Sequence, residues 1–117
     1  MSAAIVVGNA ARDGEAYRGW FVGHFVPEAA GARSTGDVEV KWGVHRAGEV
    51  RDGWASSEHA TSLSVLLQGR YRLFFPERAA VVLARSGDYA LWPAGVPHRW
   101  EIDEDSVILT VRWPSRA

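Results

Sequence analysis

The chain has 117 residues, a formal net charge of −1 and no cysteine. That length suits one domain around one core, and the missing cysteine removes disulfides, thiolate metal ligands and a cysteine nucleophile. Lys and Arg come in ones and twos, so no nucleic-acid partner is expected. No apolar stretch approaches the roughly 18 residues of a membrane span, so no membrane partner is expected either. The apolar run at residues 3–7 is too short for a secretory leader, which makes the cytoplasm the expected location. Six tryptophans stand out in so small a chain.

In chain order, residues 1–19 read as a loose arm with one short strand at Ile5-Val6-Val7. Residues 17–26 (YRGWFVGHFV) are aromatic and β-branched, and read as a strand or two around Gly19 and Gly23. Residues 27–36 are small and polar, as in a loop. Residues 38–45 alternate, with Val38, Val40, Trp42 and Val44 on one face and Glu39, Lys41, Gly43 and His45 on the other. A turn at 46–49 leads into a polar bend, and residues 61–75 then hold two strands broken at Gln68-Gly69. Strands follow at 80–84, after Gly87, and at 100–102. An acidic turn at 103–106 precedes the last strand, 107–113, which Pro114 ends. About eight to ten short, regularly spaced strands without a helical period predict an all-β sandwich or barrel.

The most informative stretch is Gly87-Asp88-Tyr89-Ala90-Leu91-Trp92-Pro93-Ala94-Gly95-Val96-Pro97-His98. Its spacing, G-x5-P-x-G-x2-H, resembles the second motif of the cupin superfamily. The resemblance covers residues 38–113 and implies a double-stranded β-helix, the cupin jelly-roll barrel, in which the histidine points inward and usually binds a metal. It also implies one cupin domain over 1–117, with residues 1–36 as N-terminal arm and first strands and 37–114 as the core. The stretches KWGVH (41–45), GDYALW (87–92) and TVRWPS (110–115) look like those of compact single-domain bacterial cupins.

The first cupin motif, G-x5-H-x-H-x(3,4)-E-x6-G, is incomplete here. Setting its last glycine at Gly69 puts the glutamate position at Ser62 and the two histidines at Glu58 and Ser56. His59 lies one residue from a ligand position, and that offset turns a strand side chain to the opposite face unless a bulge intervenes. A divalent metal (Fe, Mn, Ni or Zn) would therefore rest on His98, Glu58 and His59, with His45 as a further donor. Without metal, His98 and Glu58 are the expected acid–base pair.

By parity with the consensus glutamate, Ser62, Ser64, Leu66 and Gln68 face inward. Leu63, Val65 and Leu67 then pack outward, against a second subunit in an expected homodimer. Trp100 shares parity with His98 and is expected to wall the pocket. His45 faces solvent if the apolar side of its strand is covered by the barrel, and lines the pocket together with Lys41 if the polar side is. His24, among aromatic residues, reads as a packing histidine. Arg112 reads as an edge or interface arginine, with an inward carboxylate clamp as the other option. The expected partner is a small organic molecule in the barrel. Three activities fit: a metal-dependent enzyme, a metal-free isomerase, cyclase or lyase, and a non-catalytic binding module.

Overall fold

A computed structural model describes residues 4–117. Six strands form it: β1 (Trp20–Val22), β2 (Glu39–His45), β3 (Thr61–Phe74), β4 (Val81–Leu83), β5 (Tyr89–Trp92) and β6 (Arg99–Trp113). They are hydrogen-bonded in the order β1-β2-β6-β3-β4, and β5 pairs with β3. Every strand pairing is antiparallel. The expected all-β jelly-roll architecture is the one observed.

β3 and β6 pair along their whole length, from Thr61↔Trp113 to Phe74↔Arg99. The expected break at Gln68-Gly69 is instead a bulge inside one 14-residue strand. The ladder slips between Leu66, Gln68, Arg70 and Tyr71, and such a slip moves the buried set to the other parity. Ser62, Ser64 and Leu66 are buried before it, Tyr71 and Leu73 after it. Gly69 holds this point at φ +100°, tightly against the Ser106 backbone.

The expected acidic turn at 103–106 is also strand. Cross-strand arginines make this feasible: Arg72 Nε donates to both Asp103 carboxylate oxygens at 3.1 Å, and Arg72 Nη2 donates to Glu101 at 3.2 Å. Paired opposite charges stabilise an antiparallel ladder that unpaired ones would disfavour. Ser106 Oγ donates to the Glu104 carbonyl at 2.6 Å and accepts the Arg70 N–H at 3.1 Å, tying the bulge to β6.

The arm also differs from expectation. Ile5-Val6-Val7 is exposed and forms no strand. A short helix, α1 (Ala10–Asp13), starts at Asn9, whose side chain accepts the Arg12 N–H at 3.1 Å. A 3₁₀ turn occupies Glu15–Tyr17, and Glu28–Arg33 holds two 3₁₀ turns separated by a kink at Gly31. The core lies in the lower half of the barrel, around Leu66, Tyr71, Leu73, Leu83, Ile102 and Ile108.

Gly69 and Gly87 separate two costs. Both have positive φ, but a Cβ at Gly69 would collide with Ser106 and the Asp105 carbonyl, whereas a Cβ at Gly87 meets nothing within 4 Å. Gly87→Ala is expected to lose about 1 kcal/mol in urea unfolding, and Gly69→Ala roughly 2–3 kcal/mol. Equal losses would mean that the bulge accommodates a side chain.

Candidate functional site

The two halves of the β3–β6 pair face each other across a cavity of about 400 Å³. On one wall the register sets side chains in rows. Lys41 of β2, Thr110 of β6 and Ser64 of β3 are neighbours, and Glu39, Arg112 and Ser62 form the next row. On the facing wall stand Tyr71, Leu73 and Trp100, with Trp92 and His98 beside them. Arg18 and Trp20 of the arm, with Arg51 of the loop before β3, complete the rim.

His98 is held by the turns its motif encodes. Asp88 accepts the backbone N–H groups of Ala84 (3.1 Å) and Arg85 (2.9 Å), shaping the turn into β5. Past Pro93, the Gly95 N–H donates to the Ser57 carbonyl at 2.7 Å, and His98 exchanges both backbone hydrogen bonds with Ala55 at 2.8 Å. The imidazole packs on Trp92, centroids 4.9 Å apart. Its Nδ1 lies 3.3 Å from the Val96 carbonyl; with Nδ1–H assigned as that donor, Nε2 is the free nitrogen. Burial lowers the His98 pKa from the ordinary 6.5. The Val96 carbonyl opposes this shift, and Arg51 and Arg112 add to it. Near neutral pH the ring is therefore uncharged.

The cavity is strongly cationic. Arg18, Lys41, Arg51 and Arg112 all line it, and no Asp or Glu does. Arg112 Nη2 donates to Glu39 at 2.6 Å, while Arg112 Nε is buried with no partner. Lys41 forms no ion pair among the described residues. Its pKa is lowered by burial first, then by Arg112 and Arg51. The indole of Trp20 lies 4.3 Å from the Arg112 guanidinium carbon and 5.8 Å from Lys41 Nζ, within cation–π range. Burial pushes the Tyr71 phenol up to about 12. The Ser64 hydroxyl is engaged with Thr110 at 3.1 Å, and the Tyr71 hydroxyl itself has no hydrogen-bond partner.

The expected site residues separate into two groups. His98, Ser62, Ser64, Trp100 and His45 all line the cavity. For His45 the polar-side alternative is the one realised; its ring packs on Trp100 at 4.9 Å, and Nδ1 lies 3.3 Å from Glu49. Gln68 is exposed, because the inward parity ends where the bulge begins. Glu58 and His59 are exposed and outside the cavity. They sit in the turn just before β3, which the Ser57 side chain closes by accepting the Ala60 N–H at 3.1 Å. Arg112 points inward rather than to an edge. His24 hydrogen-bonds Ser115 Oγ at 2.7 Å and packs edge-on against Phe25, away from the cavity.

Sequence reasoning missed Tyr71, Arg18 and Arg51. Tyr71 is out of phase with Ser62, and only the bulge brings it inward. The two arginines sit outside regular strands, where no periodicity points to them.

The residues around His98 do not fit a divalent metal. No three His, Asp or Glu side chains converge among the described residues, and the charged groups acting on His98 are the guanidiniums of Arg51 and Arg112. A cation would meet like charge there, with no carboxylate to offset it.

Solved structures share this architecture. KdgF from Halomonas sp. aligns with a TM-score of 0.63 and 20% identity, over 70% of this chain and 74% of its own. An RmlC-like cupin protein from Desulfovibrio desulfuricans aligns with a TM-score of 0.59 and 18% identity, over 68% and 74%. A cupin superfamily protein from Desulfitobacterium hafniense gives 0.58 and 19%, over 66% and 67%. Neither a family model nor a curated protein sequence matches the chain. Identities this low carry the likeness of fold, and together with the barrel and its central cavity they make this chain a protein of the cupin fold.

Proposed function

We propose that the protein is a metal-free acid–base enzyme of the isomerase or lyase type, acting on a small polar molecule held in the barrel. The observation that carries this reading is the juxtaposition of a neutral His98 and a protonated Tyr71 in one cavity. An uncharged imidazole with a free Nε2 can take a proton from carbon or oxygen. A phenol with a raised pKa keeps its own proton and can donate a hydrogen bond to the oxyanion that forms. Trp92 and Trp100 exclude water from one side, which strengthens both effects. Ser62, Ser64 and His45 are the polar groups available to orient the substrate.

A second copy of the chain completes this reading. The outer face of the upper sheet carries Val40, Trp42 and Val44 of β2, Leu63 and Val65 of β3, Tyr89 and Leu91 of β5, and Leu109, Val111 and Trp113 of β6. No charged side chain interrupts it, and Val44, Tyr89 and Leu91 are more than half exposed. A contiguous uncharged apolar face is the kind of surface that marks a protein contact. A twofold copy supplies an equally uncharged match.

Three measurements test these points. In D2O, proton NMR of a panel of small carbonyl compounds is expected to reveal exchange at a carbon next to the carbonyl. Exchange should survive EDTA and fall by about 10²-fold or more in His98→Ala; loss with EDTA and recovery with Fe, Mn, Ni or Zn would overturn the metal-free reading. Light scattering is expected to give a dimer for the wild type and a monomer for Leu91→Asp. An NMR titration should place the His98 midpoint below 6.5. A depressed folded-state pKa means that the stability His98 contributes is complete above about pH 6.5 and is lost as pH falls through the lower folded midpoint. His98→Ala is expected to remove that part of the acid slope.

A further inference from the structure

We propose that the molecule in the cavity is an organic anion, with its carboxylate seated between the Lys41 ammonium and the Arg112 guanidinium. This rests on the reading that the barrel binds a small molecule, and adds its chemical class. Lys41 and Arg112 stand on adjacent rows of the same wall, two register positions apart along β2 and β6 with the Val40–Val111 pair between them. The one carboxylate against them, Glu39, is taken by Arg112 at hydrogen-bond distance. On this wall two positive charges and one negative leave one unbalanced cation, to which Arg18 and Arg51 of the same cavity add. One ligand carboxylate balances it.

Hydrogen bonding points the same way. Among the described residues, the buried polar side-chain atoms without a partner are the Tyr71 hydroxyl and Arg112 Nε. Both belong to residues that line this cavity. Arg112 Nε can only donate, and the phenol donates too. Ser64 and Thr110, in the same row as Lys41, add hydroxyls. A surplus of donors calls for an acceptor-rich ligand. A neutral polyol would meet the hydroxyls yet leave the Lys41 charge desolvated and unpaired, which a carboxylate does not.

The surroundings suit an anion with an apolar body. Trp20 lies over both cations and closes the arm side, while Trp92, Trp100, Leu73 and Ile108 offer apolar surface. Arg18 and Arg51 at the rim extend the positive field outward and steer an approaching anion.

Tryptophan fluorescence titrations with benzoate and with its neutral isostere benzamide test the proposal. Benzoate is expected to bind saturably, about tenfold more weakly when NaCl rises from low to molar concentration, and at least tenfold more tightly than benzamide. Lys41→Met keeps an unbranched side chain one atom shorter and removes the charge. It should weaken benzoate at least tenfold while raising the thermal midpoint of the ligand-free protein; Lys41→Gln is the second variant. Equal binding of benzamide and benzoate would overturn the anion and leave a small-molecule cavity standing. Binding of neither would also overturn it, and the His98-dependent exchange experiment then judges the cavity reading on its own. Undiminished benzoate binding in both Lys41 variants would move the anion off this wall and refute the assignment.

Discussion

The end-to-end pairing of β3 with β6 is the interaction on which the rest of the molecule depends. β2 and β1 hang from one edge of this pair, and β4 and β5 share the other. The slip at Gly69 means that even-numbered residues before it and odd-numbered residues after it end up facing the same space. The cavity thus results from a register choice. Had the ladder continued without the slip, Tyr71 and Leu73 would face outward and the lower half would lose its core. Gly69 allows the slip because no larger residue fits against Ser106 at that point.

The same sheet reverses the usual polarity of a strand that covers a core. In β2 the apolar residues Val40, Trp42 and Val44 lie outside, while Lys41, Gly43 and His45 line the cavity and Glu39 is buried against Arg112. A barrel that has to hold a polar molecule needs its donors and charges on the inside. Folding energy then has to come from elsewhere. Here it comes from the lower half, where Leu66, Leu73, Leu83, Ile102 and Ile108 are nearly or fully buried, each contributing on the order of 1.5–3 kcal/mol. Burying Lys41 beside Arg112 works against folding, a cost that the proposed site would explain.

The charge pattern also explains why a barrel of this architecture need not work through a metal. A divalent cation requires carboxylates and neutral imidazoles converging on one point, and the carboxylates that could converge are committed elsewhere. Glu39 pairs with Arg112, Glu49 with His45, and Glu101 and Asp103 with Arg72 on the outside. What remains around His98 is a set of hydrogen-bond donors and guanidiniums. Burial, with the guanidiniums adding to it, lowers the proton affinity of the imidazole, and the proposed acid–base and anion-binding roles would both draw on this arrangement.

Local chemistry was enough to read much of this from the residue order. The Gly-Asp turn, the Pro93–Gly95 bend and the position of His98 are set by backbone preferences within twelve residues, and they turned out as the motif implies. The alternation in 38–45 and the last strand at 107–113, ended by Pro114, were legible for the same reason. Three things depended on partners distant in the chain. Whether 103–106 turns or continues as strand was settled by Arg70 and Arg72 across the ladder. Which face of β2 is inside was settled by its pairing with β6, which sets Lys41 beside Thr110 on the cavity wall. Which parity lines the lower cavity was settled by the slip at Gly69, and with it the arrival of Tyr71 and the departure of Gln68. The amino-acid sequence by itself determined the strands, the turns and the placement of His98, because these follow from short-range sterics and hydrogen bonds. Only the tertiary structure decided the company His98 keeps, because register and facing depend on interactions between residues tens of positions apart.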